Sequence, residues 1–382
     1  MRRILIVVMA LIMVLSFLSS CEKGEQVAFM SDYDNRSGIT VSELCASQKK
    51  ISVGFIGGSI TEADKYRVYV MEYLRKTYPD NIFEEICAGV GGTGSVLGVV
   101  RIEHDLLVHT PDIVFIEFSV NDGSDSPSHR IAMEGMIRKV LRKNGGTIVS
   151  VLGTATVGTF ADYDNGNLPG AVFAHKEVAE YYNIPYINVG EVLYKHIRAT
   201  GDPATDYLPD NVHPNYEGGK VYAEEIIRYL EDYEWNINFK DEPMTDNTYE
   251  NADLFYASDY IQEPWTGVPG GGYFGNKYPN YIMTRDIGAT LEFDFYGRYF
   301  GMYHTLEGDT GTFEYRIDGG DWHKVVCWDE YCLDFERPSG GIMVGGLEKT
   351  NHHVEIRVSD EKAELSTGYK ICFSAFFFEK EN

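Results

Sequence analysis

Residues Ile51–Thr61 read Ile-Ser-Val-Gly-Phe-Ile-Gly-Gly-Ser-Ile-Thr, an apolar strand that runs into two glycines and a serine. The stretch Tyr66–Tyr78 follows, with apolar residues at helical spacing. Strands that alternate with amphipathic helices form parallel sheets with helices on both faces. Because this alternation continues to residue 233, we predict an α/β fold, a three-layer α/β/α domain over residues 49–235.

The other segments of the alternation are short and regular. Residues 112–120 are nearly all apolar, which indicates a central parallel strand buried on both faces. The further predicted strands are residues 81–87, 146–152 and 184–189, and the further predicted helices are residues 96–109, 130–143, 171–182 and 216–233.

After Trp235 the helical period disappears and turn residues become frequent. We predict strands at residues 290–296, 299–306, 312–318, 353–359 and 370–378. Short strands separated by turns such as Asp318-Gly319-Gly320 are typical of antiparallel sandwiches. Residues 236–382 are therefore predicted to form a β-sandwich accessory domain, jelly-roll-like in topology.

The N-terminus has the pattern of an export signal. Arg2 and Arg3 precede an apolar run to Leu18, and Leu18-Ser19-Ser20-Cys21 resembles the lipobox of bacterial lipoproteins. The prediction is a signal peptide over residues 1–21, lipid attachment at Cys21, and a linker over residues 22–48. The protein would then lie in the bacterial cell envelope, periplasmic or at the cell surface, and touch the membrane through the lipid anchor. A plain signal peptide with an incidental cysteine is the alternative.

The amino-acid composition argues against some classes of binding partner. The 382 residues carry a formal charge of −25, which argues against nucleic acid as a partner and favours a neutral or weakly charged substrate. Cys327 and Cys332 could form a local disulfide bridge, although small buried thiols are the better default.

Four short blocks lie where apolar strands give way to loops: Gly57–Thr61, the glycine-rich residues 88–95, Val120–Asp122 and Asp210–Pro214. Taken alone, each block could instead be an ordinary turn or helix cap. Gly89–Gly94 also fits G-x-G-x-x-G, the pattern of a dinucleotide-binding turn. In order, however, they offer a nucleophile, oxyanion donors and an acid–base pair, the groups that acyl transfer needs.

The same blocks resemble those of the SGNH hydrolases, also called GDSL-type esterases and lipases. The resemblance covers residues 50–233 and implies a flavodoxin-like SGNH-hydrolase sheet with a catalytic triad of Ser59, Asp210 and His213. It implies an oxyanion hole formed by the N–H groups of Ser59 and Gly92 and the Asn121 side chain. Gly58 is a departure, since many members carry Asp before the serine.

We therefore expect a serine esterase that forms an acyl-serine intermediate and removes O-acetyl groups from a polysaccharide or oligosaccharide. Alternatives are a short-chain lipase or thioesterase, an O-acyltransferase with the same triad, and a non-enzymatic surface glycan-binding lipoprotein. No cofactor or metal is expected, because acyl transfer by a serine triad needs none. Asp162–Gly166 resembles a calcium loop, but its glycine comes one place too early, so this segment is predicted to be a turn. Second-domain aromatic residues that could stack on sugars or fill the core are Trp265, Tyr273, Tyr278, Trp322 and Trp328.

Overall fold

The computed structural model describes residues 39–235, 240–246, 248–269 and 280–381. The first of its two sheets is parallel and has five strands in the order β2-β1-β3-β4-β5. The strands are β1 (Lys50–Gly57), β2 (Ile82–Gly89), β3 (Ile113–Glu117), β4 (Ile148–Leu152) and β5 (Tyr186–Ile187). The helices are α1 (Val41–Ser47), α2 (Ser59–Glu62), α3 (Tyr66–Thr77), α4 (Ser95–Asp105), α5 (Ser119–Asp122), α6 (Pro127–Lys143), α7 (Phe160–Asp164), α8 (Gly170–Tyr181), α9 (Val189–Thr200) and α10 (Tyr216–Asp232).

The register of the three strands nearest the site brings their ends to one level. Gly57 at the end of β1 pairs with Gly89 of β2 on one side and with Glu117 of β3 on the other. β3 and β4 are buried along their whole length, as expected of strands covered on both faces. The loops after β1, β2 and β3 therefore meet at the carboxyl edge of the sheet, where α/β proteins bind ligands.

Two predicted strands are shorter than expected. β3 ends at Glu117, and residues 119–122 form the one-turn helix α5, whose Asp122 N–H donates to the Phe118 carbonyl. β5 contains two residues, whereas the predicted strand covered residues 184–189. It is short because α9 begins directly after it, with Asn188 as the N-cap. Asn121 therefore lies on a helical turn and not at the end of a strand.

The second sheet is antiparallel. Its strand order is β11-β10-β12-β9-β13-β8-β7, and β6 also pairs with β13. Its strands are β6 (Ala252–Tyr256), β7 (Thr266–Pro269), β8 (Asn280–Thr284), β9 (Thr290–Leu306), β10 (Thr312–Ile317), β11 (His323–Val326), β12 (Arg337–Val358) and β13 (Ile371–Glu379). The sheet curls on itself: the rings of Phe313 on β10 and Phe373 on β13 lie 5.1 Å apart although β12 and β9 separate these strands in the path. The predicted fold class is confirmed.

The two predicted strands at 290–296 and 299–306 are one continuous strand, β9. It bends at Gly297, whose φ of 124° is accessible to glycine and strained for other residues. β12 is likewise longer than the predicted 353–359, because its glycine-rich first half pairs with β9 across two register shifts. Glycines near a bend carry no period-two pattern, so the sequence could not predict this half of β12.

Helix α6 packs against the antiparallel sheet and against the segment that precedes its first strand, β6. Buried Glu134 accepts hydrogen bonds from the N–H groups of Met244 and Thr245, at 2.5 and 2.8 Å. Buried Lys139 donates to the carbonyls of Val99 on α4, at 2.9 Å, and Ala252 on β6. The position of the domain boundary at 235/236 remains a prediction.

Several predictions concern single residues outside the site. Cys327 and Cys332 are buried free thiols, so no bridge joins them. Trp265 is buried in the β core, whereas the Trp322 ring is contacted by the Arg316 and Arg357 guanidiniums. Cys21, Tyr273 and Tyr278 lie outside the described residues. No helix in the described ranges combines the length and hydropathy needed to cross a bilayer.

Candidate active site

Ser59 lies at the tip of a sharp turn between β1 and α2. A Cβ at Gly57 would come within 2.6 Å of the Glu117 carbonyl, and a Cβ at Gly58 would overlap Oδ1 of Asn121. Close packing against backbone therefore requires glycine at position 57, whereas a side chain at position 58 would have to displace the end of the Asn121 side chain. The turn projects the serine hydroxyl from the sheet edge. The overlap with Asn121 also gives a physical reason for Gly58 in place of Asp.

His213 lies within hydrogen-bond distance of both predicted partners. Its Nε2 lies 2.7 Å from Ser59 Oγ, and its Nδ1 lies 2.6 Å from Asp210 Oδ2. Because a carboxylate accepts, Nδ1 carries the proton, and Nε2 is left to accept the serine hydroxyl proton. The structure thus joins the three predicted triad residues in one hydrogen-bonded chain.

Asp210 is held in place by the loop that carries His213. Its Oδ1 accepts the N–H groups of Val212 and His213, at 3.0 and 2.7 Å. Burial alone would raise the pKa of Asp210, but these two bonds and the His213 ring outweigh it and lower the pKa to about 2. The carboxylate therefore stays ionised and fixes the ring orientation over the ordinary pH range.

The glycine turn after β2 runs beside the end of α2. The Gly91 N–H donates to Glu62 Oε2 at 3.0 Å, so this amide already has an acceptor. Gly92 has φ of +72° and its N–H has no acceptor among the described residues. Between the two adjacent glycines, Gly92 is consequently the one whose amide is available to a ligand.

Asn121 and Gly92 line the same cavity, of about 520 Å³. The opposite part of its wall comes from β12, residues Gly340–Gly345, with Tyr249 beside it. His129 from α6 also lines it, and its Nδ1 donates to the Ser124 carbonyl at 2.9 Å. The cavity is thus lined by residues of both the α/β part and the antiparallel sheet, including two of the predicted oxyanion groups, whereas Ser59 and His213 are not part of its lining.

Three acidic residues near the site were not predicted. Glu117 is fully buried at the end of β3 and accepts hydrogen bonds from Thr61 Oγ1 and Thr154 Oγ1, at 3.0 and 2.7 Å. Desolvation raises its pKa despite these bonds. The signal for it was present, since Glu117 is an ionisable residue in an otherwise apolar strand. Glu62 and Asp122 had no such signal, because acidic residues are ordinary near turns.

The sequence model of the GDSL-like lipase/acylhydrolase family matches residues 55–221, a span that contains all four blocks. Residues 55–221 are a GDSL-like lipase/acylhydrolase domain. The family assignment makes the protein a carboxylic ester hydrolase, and the resemblance expected from the blocks is confirmed.

Solved structures of two esterases are similar to this chain, one over both sheets and one over about half of the chain. A two-domain esterase active on acetylated mannans, crystallised with and without mannopentaose, matches with a TM-score of 0.77 at 23–24% identity over 90% of this chain and 94% of that chain. A catalytic mutant of the acetylxylan esterase Axe2 from Geobacillus stearothermophilus matches with a TM-score of 0.42 at 19% identity over 50% of this chain and 97% of that chain. No match is found among curated proteins.

Proposed function

We propose that the protein is a serine esterase that removes O-acetyl groups from a polysaccharide or oligosaccharide through an acyl-serine intermediate. The observation that carries the reaction is the chain of hydrogen bonds from Ser59 through His213 to Asp210, with links of 2.7 and 2.6 Å. Such a chain supplies a nucleophile, a base and a group that orients the base.

In the first step Ser59 Oγ attacks the ester carbonyl carbon while its proton passes to His213 Nε2. The carbonyl oxygen becomes an oxyanion, for which the Ser59 and Gly92 N–H groups and Asn121 Nδ2 are the proposed donors. Collapse of this intermediate breaks the bond to the sugar oxygen, which takes the proton from Nε2. Water then adds to the acyl-serine by the same route, and acetate and free Ser59 are formed.

Two observations support a glycan as the alcohol part. The 520 Å³ cavity extends from Gly92 and Asn121 to the β12 strand, so it offers room beyond an acetyl group. A protein of the same two-domain fold acts on acetylated mannans. The side chains of the cavity wall include polar Asn121 and His129, which suit hydroxyl groups better than a long acyl chain.

The reaction is tested with p-nitrophenyl acetate, wild type and Ser59→Ala, with exposed Ser47→Ala on α1 as matched control. We expect Ser59→Ala to fall to background and Ser47→Ala to equal wild type. Equal rates for all three proteins would reject the proposed mechanism.

The substrate is tested by acetate release from acetylated mannan, xylan and pectin beside esters of increasing acyl length. Release from at least one acetylated glycan with higher kcat/KM than from p-nitrophenyl acetate supports the proposal. A preference for chains of eight or more carbons would indicate a lipase or thioesterase instead, and acetyl transfer to an added saccharide faster than hydrolysis would indicate an O-acyltransferase.

We also propose that the protein is anchored in the bacterial cell envelope by lipid at Cys21. The support is the charged and apolar pattern of residues 2–18 before that cysteine. Labelling of expressing cells with a radioactive fatty acid should mark the wild-type protein and not the Cys21→Ala variant. An unlabelled wild type that is still processed would indicate a plain signal peptide.

A further inference from the structure

The glycine turn that carries Gly92 is hydrogen bonded to a carboxylate at each end. Glu62 Oε2 accepts the Gly91 N–H at 3.0 Å, and Asp122 Oδ1 accepts the Ser95 N–H at 2.8 Å. Glu62 ends the helix α2 that begins with Ser59, and Asp122 directly follows Asn121 on α5. Each carboxylate therefore belongs to the same helical turn as another proposed oxyanion group.

Gly92 itself has little packing to hold it. A Cβ at this position would meet no atom within 4 Å, which shows open space on that side of the turn. The position of its N–H consequently depends on the neighbouring residues of the turn. The bonds to Gly91 and Ser95 lie on either side of it and fix the turn against α2 and α5.

The Asp122 anchor is rigid because its second oxygen is bound in the protein interior. Oδ2 accepts Nε2 of His175 at 2.8 Å, and His175 is fully buried. Burial alone would raise the pKa of Asp122, but the hydrogen bonds from His175 Nε2 and the Ser95 N–H outweigh it and lower the pKa below its usual value. Gly94 lets the carboxylate approach, since a Cβ there would lie 2.5 Å from Asp122 Oδ1.

We propose that Glu62 and Asp122 are positioning residues that align the Gly92 N–H with Ser59 and Asn121, so that the three oxyanion donors converge on one point. The inference rests on the proposed function. A backbone N–H cannot be removed by side-chain substitution, so the two carboxylates are the means of testing whether the position of Gly92 matters for catalysis.

Glu62 is the better residue to change, because it is exposed and its loss should leave the fold intact. For Glu62→Ala we expect kcat with p-nitrophenyl acetate to fall about tenfold with KM within about twofold, since an interaction made in the transition state is weakened. Glu62→Gln retains an amide oxygen for the Gly91 N–H and should recover most of kcat. Exposed Asp64→Ala, two residues further along, is the matched control and should equal wild type.

Asp122→Asn tests the other anchor. The amide oxygen can still accept the Ser95 N–H, and His175 can change tautomer to accept the amide N–H at Nε2, because its Nδ1 has no hydrogen-bond partner among the described residues. We expect Asp122→Asn to keep kcat within a fewfold of wild type and Asp122→Ala to lose at least tenfold.

A second readout separates positioning from a general structural role. A boronic acid that forms a tetrahedral adduct with Ser59 should bind Glu62→Ala more weakly by the same factor as kcat falls, with an unchanged Tm. Equal kcat in Glu62→Ala and wild type, failure of Glu62→Gln to recover kcat, or unchanged boronate affinity would reject the inference. If Ser59→Ala instead retained wild-type activity, the proposed function itself would fail.

Discussion

At the residue scale, the absence of a side chain at Gly58 leaves room for Asn121, one of the proposed oxyanion donors. The Gly58 backbone is extended, with φ of −85°, so a side chain is allowed by the backbone and excluded by the overlap with Asn121. In this protein, a side chain at position 58 and the present position of the Asn121 side chain therefore exclude each other.

Gly58→Asp restores the residue that many members carry, yet we expect it to lower kcat about a hundredfold, because it displaces the Asn121 side chain. Steady-state kinetics of Gly58→Asp, Asn121→Ala and the double variant test this cause. The double variant should lose little beyond Asn121→Ala, since the displaced group is already absent. Fully additive losses would contradict the explanation.

Asp210 gives a prediction about pH. With its pKa at about 2, this carboxylate is ionised above about pH 3 and adds no proton to the acid limb of the activity profile. A plot of log kcat/KM for p-nitrophenyl acetate should therefore rise with a slope no greater than one between pH 3 and neutrality. A slope of two would mean that two groups must lose a proton for activity, and it would contradict an Asp210 that is already ionised.

Asp210→Ala should lower kcat by about a thousandfold or more, because the His213 ring loses its orienting acceptor.

At the element scale, the sequence predicted most of the elements whose side chains follow a period and missed several that glycine or helix caps define. The parallel strands and the helices α3, α4, α6, α8 and α10 were predictable from apolar spacing. Helix α9 was not predicted, although Val189, Leu193 and Ile197 recur along its buried face, and neither were the short strands β6, β7, β8 and β11. The one-turn helix α5 and the glycine-rich half of β12 were not, because short turns and bare backbone leave no periodic pattern. The wall that Gly340–Gly345 adds to the cavity therefore came from the structure.

β12 yields a prediction about substrate size. Gly345 lines the cavity, and a Cβ there would meet nothing within 4 Å, so a larger side chain would project into open space. Gly345→Leu should leave p-nitrophenyl acetate turnover within twofold of wild type and lower acetate release from an acetylated glycan at least fivefold. Gly267→Leu on β7, which lies away from this cavity, is the control. Equal loss on both substrates would indicate disturbed folding and contradict the prediction.

At the scale of the whole molecule, the α/β part and the antiparallel sheet share one hydrophobic cluster. Tyr299, Tyr303 and Phe377 from the antiparallel sheet pack with residues of α4 and α6, while Phe376 and Phe378 face the β core. Alternation along β13 thus buries both of its faces. The arrangement predicts that the two parts unfold together and not as independent domains.

Stability should also depend on pH through His304, a fully buried imidazole on β9. Desolvation lowers its pKa to about 4, so between pH 6.5 and 4 the unfolded chain binds a proton at this ring that the folded chain does not. The free energy of unfolding should fall by about 3 kcal/mol over this interval from this residue. Urea unfolding should show that difference between wild type and His304→Leu, while exposed His109→Leu should follow wild type. Parallel curves for His304→Leu and wild type would contradict the assignment.

The shared cavity has a consequence for how such an enzyme can change over time. The proposed oxyanion donors Gly92 and Asn121 line one side of it and residues 340–345 line the other, so the two sides are encoded more than two hundred positions apart. Mutations in residues 340–345 can alter which esters fit without touching the hydrogen bonds of Ser59, His213 and Asp210. Selection for a new ester substrate can therefore act on β12 while the hydrolysis reaction itself is preserved.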